Sequence, residues 1–183
     1  HALGITAWGY ASGQSVTFYQ GCPEVTPWKR AQRVGVPVRI GLQHLVASAS
    51  IPFVFPAIRV NREYFGDGSM RQLAPLSPAL HLGAERVLVI GVNGKEDQPC
   101  DRQKVTSYPP LAQIAGHVLN SIFVDSLDVD MERLQRINQT INLIPPAHKE
   151  SVPSLREVHS MIVRPSQDVA EFAQLHASSL PRT

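Results

Sequence analysis

The residue best suited to acid–base chemistry in this sequence is Asp67, which lies between Gly66 and Gly68. A carboxylate can take a proton from a hydroxyl only when it is held within hydrogen-bonding distance and partly withdrawn from water. Glycine backbones adopt conformations that other residues resist, so the two glycines predict a sharp turn that would hold the carboxylate in this way. Aspartate beside glycine is also a common turn former with no further role.

Two elements before Asp67 would position it. Apolar residues recur with the i, i+3, i+4, i+7 spacing of an amphipathic helix from Leu42 to Ala49. Pro52 ends that helix, because proline lacks a backbone donor. The alternation from Ile58 to Tyr64 predicts a hairpin that leads into the turn.

Two elements after Asp67 complete the region. Ser77 is a suitable N-cap for a helix that has Pro78 at its first position and ends before Gly83. The unbroken apolar run from Val87 to Ile90 predicts a strand that is buried on both faces. Hairpin, turn, helix and buried strand together predict a layered α/β domain, with a sheet flanked by helices.

Several short motifs in this region occur in a fixed order. They are Ala47-Ser48 or Ala49-Ser50 ahead of Ile51-Pro52, then Phe55-Pro56, Asp67-Gly68-Ser69, Pro75 and Pro78-Ala79. In order and spacing they resemble the C-terminal half of the patatin-like phospholipase domain, whose signature is A-S-x-x-x-P, F-P, D-G-[GA], a proline and an Ala-rich helix. Ser69 departs from the family pattern, which more often has Gly or Ala. The resemblance covers residues 1 to about 95 and is loose beyond them.

The resemblance implies a function. Patatin-like enzymes hydrolyse acyl esters with a Ser–Asp dyad, in which the aspartate of the D-G turn accepts the proton of a serine on a G-x-S-x-G elbow. Carried over, Asp67 is the catalytic base, and Gly66, Gly68 and Ser69 form the turn around it. The substrate would be a phospholipid, a lysophospholipid or another fatty-acyl ester, and the enzyme would belong to the bacterial cytoplasm.

The partner serine of this dyad has no counterpart in the sequence. No serine has glycines at both −2 and +2, and no Gly-rich oxyanion loop is present. The chain begins at His1 and enters a predicted strand at once. We therefore expect the domain to be incomplete on its N-terminal side, with the nucleophile on a missing N-terminal segment and the chain alone inactive.

Composition limits the other classes of function. The chain has 183 residues, a hydrophobic fraction of 43% and a net charge of +2, which is too small to indicate a nucleic-acid partner. Its longest apolar stretch, from Leu45 to Ile58, is short and broken by prolines, so no membrane span is expected. No dinucleotide, phosphate-loop or metal-ligand spacing occurs among its glycines, cysteines or histidines, and we expect neither cofactor nor metal.

Two stretches outside the central region each have two interpretations. Trp28, Lys29, Arg30 and Arg33 either contact anionic lipid headgroups, as in a peripheral membrane contact, or form a solvated helix face with one buried tryptophan. Cys22 and Cys100 either pair or remain reduced, and reduced thiols are favoured.

The second half of the chain has its own predicted elements. Residues 1–95 are assigned to the catalytic domain, and residues 96–183 to a helical and β-α extension packed on it. Helical spacing starts at Pro110 and resumes at Met131, and its acidic residues are expected on a solvated face. A strand at His159–Val163 and a helix after Ser166 follow.

Two alternatives to the hydrolase remain. The chain is a non-catalytic lipid- or protein-binding α/β module, or it is a structural domain in which Asp67 only forms a turn.

Overall fold

The computed structural model describes residues 1–21, 23–70, 74–91, 111, 114, 127–145, 148 and 156–166. Eleven elements have described bounds, in mixed α/β order. Along the chain they are β1 (Leu3–Gly9), β2 (Gln14–Gln20), β3 (Trp28–Arg30), β4 (Arg33–Pro37), α1 (Leu42–Ser48), β5 (Ile58–Val60), β6 (Glu63–Gly66), α2 (Ser77–His81), β7 (Arg86–Ile90), α3 (Leu127–Leu143) and β8 (His159–Val163).

The strands form two sheets. The larger has six strands in the order β3-β4-β2-β1-β6-β5, and the smaller pairs β7 with β8 in parallel. In the larger sheet only β2 and β4 are parallel neighbours. The predicted hairpin into Asp67 is confirmed as β5–β6, with Val60 opposite Glu63. Asn61 turns the hairpin at φ 55°, a conformation that asparagine tolerates better than most residues.

Each sheet carries its own apolar core. Residues of β1, β2, β5 and β6 pack against α1 in the first, which contains Ala7, Val16, Phe18, Ala47, Val60 and Phe65. The second lies between β7, β8, α2 and α3 and contains Leu76, Leu127, Leu134 and Val158. The strand at His159–Val163 and the helical spacing that resumes at Met131 are thereby confirmed.

Helix α1 is present, but its apolar face is not buried. An amphipathic helix ordinarily packs that face on the core. Here His44 and Ala47 face the sheet, whereas Leu42, Leu45 and Val46 are exposed, Leu42 to 74%. Small Ala47 lets the helix approach the sheet closely, and the larger apolar side chains form an outer surface instead.

Strand β7 differs from its prediction in a similar way. Residues Val87 and Val89 pack into the second core, but Leu88 and Ile90 on the opposite face are exposed. The strand is therefore covered on one face, and the prediction of burial on both faces is wrong. An unbroken apolar run does not reveal how many of its faces are covered.

Two further predictions are corrected. Trp28, Lys29 and Arg30 form strand β3 and Arg33 begins β4, so the solvated helix face is wrong. The N-cap of α2 is Leu76 rather than Ser77, and no side chain caps the helix, although Pro78 lies in its first turn and Gly83 follows it at φ 93° as expected. Cys22, Cys100, the helix start at Pro110 and the helix after Ser166 lie outside the described residues.

Candidate active site

The turn at Asp67 is fixed to the end of helix α1. Strand β6 ends at Gly66, and the next two backbone amides donate to carbonyls of the chain that leaves the helix. The Asp67 amide donates to the Ser50 carbonyl at 2.9 Å, and the Gly68 amide donates to the Ser48 carbonyl at 3.2 Å. These bonds hold the aspartate at the point where sheet, helix and the following loop meet.

Glycine is required at position 68 for space rather than for an unusual backbone angle. Neither Gly66 nor Gly68 has a positive φ, so the predicted reason for the glycines is wrong. A side chain at Gly68 would overlap the carbonyl oxygen of Thr6, which is backbone and cannot move away. A side chain at Gly66 would meet the ring end of Tyr10, which is partly exposed and can move.

The Asp67 carboxylate uses one oxygen to close its own turn. Oδ1 accepts the Ser69 amide at 2.7 Å and the Ser69 hydroxyl at 2.5 Å. Oδ2 has no hydrogen-bond partner among the residues that the structure describes, and the side chain is half-buried. The turn therefore fixes the orientation of the carboxylate and leaves one oxygen able to accept a further hydrogen bond.

An apolar groove lies beside this turn. It has a volume of about 340 Å³ and is lined by Leu45, Val46, Ala49, Ser50, Phe55, Pro56 and Ile58. Its link to the aspartate is Ser50, whose carbonyl accepts the Asp67 amide. The Ser50 hydroxyl donates to the Val46 carbonyl at 2.7 Å, so its polar atom is occupied. The groove suits a hydrocarbon chain.

The nearby serines do not supply a nucleophile. Ser48 donates its hydroxyl to the Thr6 carbonyl at 2.7 Å, and the Ser50 hydroxyl is bound to Val46. Within the described part of the chain, only the Ser69 hydroxyl contacts Asp67, and it closes the local turn. A hydroxyl that reacts with an ester at Asp67 Oδ2 would come from elsewhere.

Trp28 of the basic–aromatic stretch belongs to an aromatic stack on the face of the sheet away from α1. Trp28 lies between Tyr19 and His81, with ring centroids at 5.1 Å and 4.7 Å. Burial, and then the positive charges of Arg30 and Arg33, lower the pKa of His81 below its ordinary value. The stack joins α2 to the edge of the large sheet, which is a structural role for Trp28.

The other described histidines offer no metal centre. His44 is buried against Phe18, at a centroid distance of 4.7 Å, and its Nδ1 accepts the Gly41 amide at 3.0 Å. Among the residues that the structure describes, no group of three or more His, Cys, Asp or Glu side chains converges on one point.

The acidic residues of α3 have structural partners. Asp130 accepts the Leu76 amide at 3.0 Å, Glu132 pairs with Arg136 at 2.7 Å, and Asp128 contacts Arg164. Of the acidic residues expected on a solvated face, Glu132 is exposed and pairs with an arginine as predicted. Asp130 instead fixes the start of α2, a contact across the chain that local sequence does not indicate.

Comparison with known proteins identifies no relative of this chain. No family model, no curated protein and no solved structure matches the chain. Within the described ranges, none of the helices is both long and apolar enough to cross a bilayer.

The groove is the part of the site that sequence reasoning missed. Its side chains come from α1, from the loop that follows and from Ile58 of β5, where the sequence predicts only a helix, the proline that ends it and a hairpin. One signal was available, because the chain has no Asp, Glu, Lys or Arg from Gly41 to Ile58. An uncharged stretch of this kind around a short helix is compatible with an apolar surface as well as with a core.

Proposed function

We propose that this chain carries the proton-accepting part of a serine acyl-ester hydrolase of patatin type. Asp67 is the general base, and the nucleophilic serine and the oxyanion loop belong to polypeptide outside these 183 residues. The substrate is a fatty-acyl ester or a phospholipid, and the setting that the resemblance favours is lipid degradation in a bacterial cytoplasm. No cofactor or metal takes part.

One observation carries the proposal: Oδ2 of Asp67 has no hydrogen-bond partner among the described residues, and the backbone of its turn is bonded to Ser50, which lines an apolar groove. An ester hydrolase for lipids needs a proton acceptor of fixed orientation next to a surface that takes a hydrocarbon chain. The backbone bonds to Ser48 and Ser50 provide the first, and the groove provides the second. Ser50 connects the two, because it lines the groove and its carbonyl accepts the Asp67 amide, and this connection supports placing the acyl chain and the base in one site.

In the proposed reaction the groove, the Asp67 carboxylate and Ser69 each have one role. The acyl chain lies in the groove, and Oδ2 accepts the serine proton while the serine oxygen bonds to the ester carbonyl carbon. The ester C–O bond breaks, and the alcohol leaves with the proton that Asp67 accepted. Water then attacks the acyl-serine and gives its proton to Asp67, the bond between the acyl carbon and the serine oxygen breaks, and Asp67 returns the proton to the serine as the fatty acid is released. The Ser69 bonds to Oδ1 keep the carboxylate aligned throughout.

A second candidate is a non-catalytic module that binds lipid or protein. It is favoured by the turn itself, because both Ser69 bonds to Oδ1 are those of an aspartate that only closes a turn. The apolar groove would then hold a lipid without cleaving it.

Hydrolysis of p-nitrophenyl esters separates the two candidates. The assay uses the longer protein, which combines these residues with the nucleophile-bearing segment, and the 183-residue chain as the matched control. The proposal expects turnover of fatty-acyl esters by the longer protein and none by the chain alone. A longer protein that hydrolyses no acyl ester, yet binds a fluorescent fatty acid, would establish the binding module instead.

A further inference from the structure

Several strongly exposed apolar side chains lie on α1, which contributes to the groove, and on the loop that follows it. Phe53 is 90% exposed, and Val54, Phe55 and Leu42 are also largely exposed. We call this surface the Phe53 patch: Leu42, Leu45 and Val46 of α1, and Ile51, Phe53, Val54 and Phe55 of the following loop. Large apolar side chains exposed on neighbouring elements in this way are typical of a site of interaction with a membrane or a protein.

The loop that presents Phe53 is a formed turn. The amides of Val54 and Phe55 both donate to the Ile51 carbonyl, at 3.2 Å and 2.9 Å. Phe53 has φ 68°, which is unfavourable for a bulky residue. The chain therefore keeps an aromatic ring in water on a strained backbone, a conformation that local interactions alone do not favour.

The charges nearest to the patch in sequence are positive, and acidic Glu63 and Asp67 follow them. Between Glu24 and Glu63 the chain has six Lys and Arg residues and no acidic residue. Three of them flank the patch in sequence: Arg39 lies ahead of α1, and Arg59 and Arg62 follow the loop in the β5–β6 hairpin. None of the three forms an ion pair within the described part of the chain. Because the net charge of the whole chain is only +2, the residues outside this stretch carry a net negative charge.

We propose that the Phe53 patch is a docking surface for an anionic lipid bilayer. Apolar side chains enter the boundary between headgroups and acyl chains, and the arginines remain at headgroup level, where each favours binding to anionic lipid. This inference extends the proposed function, because the groove beside Asp67 opens among the same residues and would receive an acyl chain directly from the bilayer. It also moves the lipid contact away from Trp28, whose ring is stacked between Tyr19 and His81, to the opposite face of the sheet.

Vesicle flotation with the 183-residue chain tests this surface. The vesicles are made of ether-linked lipids, which no esterase cleaves, so the result does not depend on hydrolysis. One set is phosphatidylcholine alone and the other contains phosphatidylglycerol as well. We expect binding to the mixed vesicles that weakens with added NaCl, and much weaker binding to phosphatidylcholine.

Substitutions assign the binding to the patch. Phe53→Asn keeps a residue that tolerates positive φ and should lower binding about tenfold, whereas Phe53→Trp should retain it. Arg39→Gln should lower binding to the mixed vesicles about fivefold. The matched control is Leu143→Asn, at an 84% exposed leucine of α3, which should leave binding unchanged. Thermal melting of each variant verifies that it is folded.

Three outcomes would overturn the proposal. The first is a chain that binds neither set of vesicles. The second is a Phe53→Asn variant that binds as well as the parent, or no worse than Leu143→Asn. The third is a chain that binds no vesicles but sediments as a dimer that Phe53→Asn dissociates, which would assign the patch to a second copy. Ester hydrolysis by the longer protein is scored separately, so either proposal can fail alone.

Discussion

The carbonyl oxygen of Thr6 fills the space that a side chain at Gly68 would need. The same oxygen accepts the Ser48 hydroxyl at 2.7 Å, so it is fixed from two sides. Glycine is therefore needed at position 68 because the turn packs closely against strand β1 and the end of α1.

We expect Gly68→Ala to lower the free energy of unfolding by about 3 kcal/mol, since a methyl group forced against backbone has no room to relax. Gly66→Ala is the matched control and should cost less than about 1 kcal/mol, because the Tyr10 ring that it meets can move. Urea unfolding of both variants gives the comparison. Equal losses would mean that the turn is not packed against Thr6 as described.

Asn138 joins α3 to the segment before β8. Its side-chain amide donates to the Val158 carbonyl at 2.8 Å, and its oxygen accepts the Val158 amide at 3.1 Å. Val158 is buried, so Asn138→Ala leaves two backbone groups without partners and should cost about 2 kcal/mol.

The control for that prediction is Asn142→Ala, one helical turn further along α3. Its single bond, to Glu157 at 3.4 Å, is long and exposed. We expect a change below about 0.5 kcal/mol in the same urea titration. A similar cost for both substitutions would contradict the role given to Asn138.

His81 should make stability depend on pH. Its pKa is lowered in the folded chain from an ordinary value of 6.5, by burial and then by Arg30 and Arg33. The unfolded chain therefore binds more protons near that pH, and the contribution to stability is present above pH 6.5 and is lost as the pH falls.

The variant His81→Phe keeps an aromatic ring on Trp28 but does not titrate. Its melting temperature should fall less steeply than that of the parent as the pH is lowered below 6.5. His159→Phe, at an exposed histidine of β8, should follow the parent. Parallel profiles for the parent and His81→Phe would show that this histidine is not the group responsible.

Ala49 tests the groove as an acyl-chain site. A phenylalanine there would occupy part of a groove of about 340 Å³. In the longer protein, Ala49→Phe should lower kcat/KM for long-chain p-nitrophenyl esters about tenfold or more, and leave the acetate ester nearly unchanged, because only the long chain needs the groove. Ala31→Phe, at an exposed residue between β3 and β4, is the control. An equal effect on both esters would separate the groove from substrate binding.

Sequence reasoning predicted what depends on short-range pattern. The β5–β6 hairpin, helix α1, strand β8 and the glycine after α2 follow from alternation, helical spacing and turn chemistry, and the structure has them. Each of these signals lies within about ten residues of chain.

The rest depended on contacts between distant residues. Periodicity identified the apolar face of α1 but not its direction, which small Ala47 and buried His44 decide by packing on the sheet. Asp130 bonding to Leu76, and Trp28 stacking on His81, join residues 54 and 53 positions apart, and no local pattern predicts either contact. At the site, the sequence indicated Asp67 and its turn, but not the groove or the true reason for Gly68.

The most direct test of the whole account is the rate of ester hydrolysis by Asp67→Asn in the longer protein. Asparagine keeps the oxygen that Ser69 binds, so the fold and the turn should survive, but it cannot accept the serine proton. We expect kcat to fall about 10²–10⁴-fold with an unchanged melting temperature. Asp128→Asn, on the exposed face of α3, should keep full activity. An Asp67→Asn enzyme that is folded and as active as the parent would contradict the assignment of Asp67 as the base.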